Sequence, residues 1–308
     1  MSAARLVAAA ATLATLALSF NAARADETLK IIYQPVGGFT NVFVAADQGF
    51  FKKHGLDLQF QSTQIASNVP SVLASGEFDI GGPTMLPVLQ ADENGLDLVV
   101  LAGGAVYPLP GDGLVAGTGS GIEHARDLAG KTAGVPGIGT QLDVLLRRGL
   151  KQSGIDPASV KYVEIGFLQA SDALKTRVID AYTSVEPFTQ RIEKAGSGKL
   201  LADWPEVPDG TTTVVYASTR KWAEAHRPTI AAFRAALREA DAFIKTHRDE
   251  TMKANAEFTK LPLPVIQAMP ISEYSTDLSD KQVQFWIDLA LDQKLIHGHP
   301  KPIDILFK

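Results

Sequence analysis

Residues 56–104 read LDLQFQSTQIASNVPSVLASGEFDIGGPTMLPVLQADENGLDLVVLAGG. Leu56, Leu58 and Phe60 alternate with polar residues, the period of a half-buried strand over 56–61. Ser67 or Asn68 stands where a helix cap belongs, Pro70 falls in the first turn, and the helix reaches Ala74. Phe78–Ile80 is a brief second strand that ends in Gly81-Gly82-Pro83. Thr84 caps the next helix, which runs to about Glu93 and stops at Asn94-Gly95. Leu98–Leu101 is a third, apolar strand followed by Ala102-Gly103-Gly104. The alternation of strand and helix predicts a mostly parallel sheet with helices on its faces.

The pattern extends both ways. Upstream, Leu29–Tyr33 is β-rich and ends at Gln34-Pro35 and Gly37-Gly38, and 41–53 reads as one helix stopped at Gly55. Downstream, a second α/β unit begins near residue 119. It contains strands at 131–135, 160–165 and 181–185, with helices from Thr140 to Gln152, over 170–178 and over 187–194. After a last β-rich run at 214–217, three helical patterns at 228–246, 249–259 and 279–293 are expected to wrap back onto the first unit. This predicts two lobes around a cleft: 28–117 with 213–308, and 118–212, with crossings near 117 and 212.

Composition narrows the function. The 308 residues are 45% hydrophobic and 20% charged, the balance of a soluble globular protein. The net charge is −5 with no basic block, which argues against a nucleic-acid binder. Cysteine is absent, which removes disulfides, thiolate nucleophiles and Cys-ligated metal sites. The first 25 residues read as an export signal: Arg5, an apolar run from Leu6 to Phe20, and Ala23-Arg24-Ala25 as the cleavage site. That run is shorter than the ~20 residues a spanning helix needs. A mature chain starting at Asp26, in a bacterial periplasm, is expected.

Five passages in order resemble the periplasmic solute-binding proteins of ABC importers. Within these, the resemblance is to the nitrate, taurine and alkanesulfonate receptors and the NMT1/THI5-like group. Residues 45–58, AADQGFFKKHGLDL, match the "A…GFF…GLDV" passage, and residues 71–81, SVLASGEFDIG, match "ALASGEFDIG". Asp127-Leu128-Ala129-Gly130-Lys131 with Gly134-Val135-Pro136 matches "DLKGKKVGVP"; Gly139-Thr140 sits at a helix start where the family keeps a small or hydroxyl residue; Glu186-Pro187 matches the late "EP". The resemblance implies a two-lobed periplasmic-binding-protein fold of type II, closing about a hinge on one small ligand. It implies a monomer with no cofactor and no chemistry on the ligand. A membrane permease and its ATPase are the implied partners.

In open α/β sheets ligands bind beyond the carboxyl ends of the strands. Those ends here are 34–41, 63–68, 81–85, 103–107 and 136–141, and four of them run into helix N-termini. Helix N-termini offer unpaired N–H groups and positive potential to an anion. The candidate ligand residues are Gln34, Gly38, Phe39, Thr40 and Asn41; Ser67, Asn68, Thr84 and Met85; Gly104 and Tyr107; Gly139, Thr140 and Gln141; and Glu186. Ser67, Asn68, Thr84 and Thr140 fit helix caps equally well. Phe39 fits packing more readily than stacking on a ligand, and Tyr107, near the expected hinge, fits either. Glu186 fits a structural role through backbone bonds or contact with a cationic group. No Arg or Lys falls in these loops, which points to a small monoanion or a neutral polar solute. A sulfonate or carboxylate, with room for an aromatic ring, is expected.

Other classes find less support. His297-Gly298-His299 invites a metal reading, but no acidic partner is near it in sequence, and a surface loop is expected. No H-E-x-x-H, G-x-S-x-G or P-loop pattern occurs. The fungal pyrimidine synthases share the resemblance, but they carry a Cys-rich iron motif that this chain lacks. Thiamine-pyrimidine-precursor binding, a fold-related enzyme and a receptor that feeds a sensor kinase remain alternatives.

Overall fold

A computed structural model describes residues 27–308; the expected export signal and its cleavage site lie outside the described residues. Its strands are β1 Glu27–Tyr33, β2 Leu56–Ser62, β3 Ile80–Gly81, β4 Leu98–Gly103, β5 Ala105–Val106, β6 Gly113–Gly117, β7 Thr132–Val135, β8 Lys161–Glu164, β9 Ala181–Ser184, β10 Gly198–Leu200, β11 Val215–Thr219 and β12 Glu273–Tyr274. They form two five-stranded sheets, ordered β2-β1-β3-β11-β4 and β10-β6-β9-β7-β8, and a two-stranded ladder β12-β5.

Each sheet has one reversed strand. In the first, β1 pairs in parallel with β2 and β3, while β11 runs antiparallel to β3 and β4. In the second, β7 pairs in parallel with β8 and β9, while β6 runs antiparallel to β9 and β10. The reversed strand is in each case the one that enters from the other sheet. The sequence placed the first crossing near 117, but β6 already belongs to the second sheet: Gly113 pairs with Ser184 and Ala116 with Ala181. The crossing segments therefore lie earlier, and they pair with each other. Tyr107 N–H donates to Thr211 O at 2.9 Å, and Thr213 N–H donates to Ala105 O at 2.9 Å.

The tail helices return to the first sheet, as their apolar periodicity suggests. Helix Arg227–Ile244 packs on helix Thr40–Asp47 and on helix Phe50–Lys53. Phe51 stacks on Phe233 at 5.3 Å between centroids, and Phe43 on Phe258 at 4.9 Å. Such aromatic pairs add about 0.5–1.5 kcal/mol each beyond the apolar area they bury. The helix expected over 41–53 is two helices, broken between Asp47 and Phe50. Strand β4 is an edge strand yet wholly buried, because the C-terminus covers it. Phe307 N–H donates to Val100 O at 3.0 Å, and Arg234 Nε donates to Leu101 O at 2.6 Å. Among the described residues no helix is long and apolar enough to cross a membrane.

Candidate ligand cleft between the two sheets

Loops from the carboxyl ends of β1, β3, β7 and β9 meet at one cavity. Six of the residues expected from sequence line it: Gln34, Gly38, Thr84, Thr140, Gln141 and Glu186. The two halves touch around it. Gly37 N–H donates to Glu186 O at 2.8 Å, Gln90 Nε2 donates to Gly139 O at 2.9 Å, and Lys194 Nζ donates to Pro264 O at 2.7 Å. The cavity is small, about 50 Å3 in volume.

Its wall carries unpartnered polar atoms. Gln34 Nε2, Thr84 Oγ1, Gln141 Oε1 and Glu186 Oε1 are buried and have no hydrogen-bond partner within the protein. An unmade buried hydrogen bond costs about 1–3 kcal/mol, so four in one small space point to a partner from outside the chain. The helix-cap reading does not account for these residues. Thr84 and Thr140 occupy N-cap positions, but neither side chain caps its helix; the Thr140 hydroxyl donates instead to Gly137 O at 2.7 Å. Gln141 Nε2 donates to the Tyr107 hydroxyl at 3.0 Å, beneath the cavity wall, so Tyr107 orients a lining residue without lining the cavity itself. Thr140, Gln141 and Leu142 bring the first turn of helix Gln141–Gln152 to the cavity, where its N–H groups favour negative charge.

The electrostatics has an acidic side as well. Burial pushes the Glu186 carboxyl up to about 7, and burial with the nearby Glu186 pushes Asp112 well above the usual carboxylate range. Among the described residues that line the cavity, none is Arg, Lys or His.

The remaining candidates lie elsewhere. Phe39 is fully buried in the first core, edge-on to Tyr216 at 5.6 Å. Thr40 donates to Gly37 O at 2.8 Å and bonds Asn255 Oδ1 at 2.8 Å. Asn41 spans the same core: its amide donates to Asp241 Oδ1 at 3.1 Å, and its oxygen accepts from the Tyr216 hydroxyl at 2.6 Å. These three hold the start of helix Thr40–Asp47, and the hydrogen-bonding capacity of Thr40 and Asn41 is spent there. Met85 is core, facing inward from its helix. Gly104 serves packing, because a Cβ there would stand 2.6 Å from Gly38 O and 2.5 Å from a Val214 methyl. Gly139 closes its own loop by donating to Asp143 Oδ2 at 2.8 Å. Asn68 precedes helix Val69–Ala74 without capping it, and Ser67 reaches the other sheet, donating to Glu164 Oε1 at 3.3 Å.

Sequence reasoning missed Asp112, Thr213, Met269, Ser272 and Tyr274, which also line the cavity. Thr213 and Asp112 belong to the crossing segments, and the other three to the β12 region, which the β5–β12 ladder carries to the cleft. The turn-rich run 268–276 with its Pro270 was the available signal. His297, with no acidic partner near it in sequence, meets one from far along the chain: its N–H donates to Glu93 Oε1 at 2.7 Å, and its ring lies 3.2 Å from the same carboxylate. Among the described residues no group of His, Asp and Glu is placed to hold a metal ion.

Comparison with known proteins agrees with this fold. The family profile described as "NMT1/THI5 like" matches residues 37–251. An Escherichia coli protein named for binding aliphatic sulfonates is 25% identical over 238 residues, 75% of this chain and 72% of that protein. A 4-amino-5-hydroxymethyl-2-methylpyrimidine phosphate synthase of Legionella pneumophila is 30% identical over 141 residues, 46% of this chain and 43% of that protein. The solved structure of the alkanesulfonate-binding protein SsuA from Xanthomonas axonopodis pv. citri, bound to MOPS, superposes with a TM-score of 0.76 at 22% identity, covering 91% of this chain and 98% of that one. The periplasmic nitrate-binding protein NrtA from Synechocystis PCC 6803 gives 0.74 at 14% identity, covering 87% and 82%. At such identities the solved structures establish the fold alone, a two-lobed periplasmic-binding-protein fold. With the profile spanning most of the chain and the expected passages in their expected order, the chain belongs to the NMT1/THI5-like family.

Proposed function

We propose that the chain is the exported solute-binding component of an ABC importer. It captures a small polar solute between its lobes and presents the closed form to a membrane permease powered by an ATPase. The single observation that carries this reading is the cavity between the two sheets, walled from both sides and lined by buried polar atoms that lack partners. Lobe one comprises β1 to β4 and β11 with the tail helices, lobe two comprises β6 to β10, and the hinge lies where the 105–112 and 205–213 segments pass. Export removes residues 1–25. The solute carries a sulfonate or carboxylate at the first turn of helix Gln141–Gln152, with Gln34 Nε2 and the Thr84 hydroxyl as further donors. Binding energy drives closure, because the solute meets both lobes only in the closed state. The solute leaves unchanged.

The test is protein purified from a periplasm, with its N-terminus sequenced and its melting followed against alkanesulfonates, taurine, nitrate, aromatic carboxylates and pyrimidines. The expected start is Asp26. A solute present at about 100 times its Kd should add about 2.7 kcal/mol of stability. Chemical conversion of the stabilising solute would contradict the reading and favour the enzymatic alternative that the Legionella relative's name suggests. Stabilisation by no class would also count against it.

A further inference from the structure

Helix Gln141–Gln152 meets the cavity only with its first turn. Its body divides between the lobes. Leu146 and Leu150 pack with Leu114, Ala133 and Ala181 of the second sheet. Val144 and Leu145, both wholly buried, pack instead in the apolar cluster of Leu86, Val283 and Trp286, which belong to the first lobe. The first face seats the helix on its own sheet; the second is buried only while the two lobes are together.

Polar contacts follow the same side of the helix. Val144, Arg148 and Lys151 fall at i, i+4 and i+7, one stripe of its surface. Facing them is helix Asp280–Asp292, whose Phe285, Leu289 and Asp292 repeat that spacing. Gln293 Nε2 donates to Val144 O at 2.8 Å, the Arg148 guanidinium carbon lies 5.4 Å from the centre of the Phe285 ring, and Lys151 Nζ is 3.5 Å from Asp292 Oδ2. A groove of about 580 Å3 runs between the stripes, lined also by Pro208 of the second crossing segment. Gly149 gives that segment room against the helix, since a Cβ there would stand 3.2 Å from Pro205 Cδ. None of these residues lines the solute cavity.

The contact is modest by design of its parts. The Lys151 and Asp292 side chains are 48% and 64% exposed, so their ion pair contributes little. The half-buried Gln293 bond and the burial of Val144 and Leu145 contribute more. Contacts of this size, made only with the lobes together, shift an equilibrium without locking it. Resting on the receptor reading above, we infer that the contact between helices Gln141–Gln152 and Asp280–Asp292 is a closure brace, which populates the closed form before any solute arrives. Gln293 is its positioning residue. The population of the binding-competent form scales the apparent affinity, so the brace raises solute retention without touching the solute.

Pulsed electron spin resonance between two spin labels tests this on the solute-free protein. Cysteine is absent from the chain, so Lys52→Cys and Lys161→Cys, exposed positions one in each lobe, are its only labelling sites. The labelled parent should show two distances, the shorter from the closed form. Gln293→Ala, and Arg148→Asp combined with Lys151→Asp, should each lower the short-to-long ratio about fivefold or more. Gln284→Ala, whose side chain bonds Asp288 within its own helix, should leave the ratio unchanged, and Arg148→Lys with Lys151→Arg should keep it near the parent's. Melting curves show that every variant folds. A single distance in the solute-free parent, or a parent-like ratio in folded Gln293→Ala and in the folded double variant, overturns the inference. Ethanesulfonate, taurine and nitrate are then added in turn to the parent. If the variants respond as expected while none of the three enriches the short distance, the brace stands and the result counts against the receptor reading alone.

Discussion

The backbone N–H of Gly37 donates to the carbonyl of Glu186 at 2.8 Å, joining the loop after β1 to the loop after β9. Both residues line the cavity, so the wall and the latch between the sheets are built from the same two loops. Changes to the wall should therefore register in both affinity and closure.

Thr84→Val removes a buried hydroxyl that has no partner in the protein. The folded empty protein should be unchanged or slightly more stable, because an unsatisfied polar group is replaced by an apolar group of the same shape. Solute affinity should weaken by about 1 kcal/mol. Paired melting and titration curves check this; a loss of stability with affinity intact would assign Thr84 to structure.

Thr140→Ala should weaken binding by about 1 kcal/mol or more, if the solute meets the hydroxyl that donates to Gly137 O. Unchanged affinity with a lowered melting temperature would show that Thr140 serves its loop alone.

Phe39→Ala should behave in the opposite way. The ring is fully buried against Tyr216, away from the cavity, so the variant should lose about 3–5 kcal/mol of stability in denaturant titration. Any folded fraction should bind solute with nearly normal affinity.

Glu186 sets a pH dependence for the empty protein. Its folded value near 7 lies above its ordinary 4.5, so between those values the folded state binds more protons than the unfolded state. Stability therefore falls as pH rises from about 4.5 to 7, by up to about 3 kcal/mol from this group. Glu186→Gln should flatten that part of the melting-temperature profile; an identical slope in the variant would refute the assignment.

The sequence is most legible where the signal is local. Alternation over 56–104 gives the parallel strands and their helices, and the strand-end rule leads to Gln34, Thr84, Thr140 and Gln141, all on the cavity wall. The same rule also selects Phe39, Thr40 and Asn41, because position after a strand does not say which way a side chain turns. Asn41 turns to Tyr216 and Asp241, residues far away in the chain. Asp112 and Tyr274 are hidden for the converse reason. They reach the cavity through the pairing of the crossing segments and the β5–β12 ladder, contacts with no local pattern. The boundary near 117 fails similarly, since Gly113–Gly117 takes its place by pairing with β9, a strand far along the chain.

The most direct test of the account is the fate of the solute itself. Once a stabilising solute is found, the periplasm-purified protein is incubated with it, freed of excess, unfolded, and the released small molecule is weighed and counted by mass spectrometry. The account predicts one unaltered solute per chain, with less retained by Thr84→Val and Glu186→Gln. A chemically altered molecule, or retention undiminished in both variants, would contradict it.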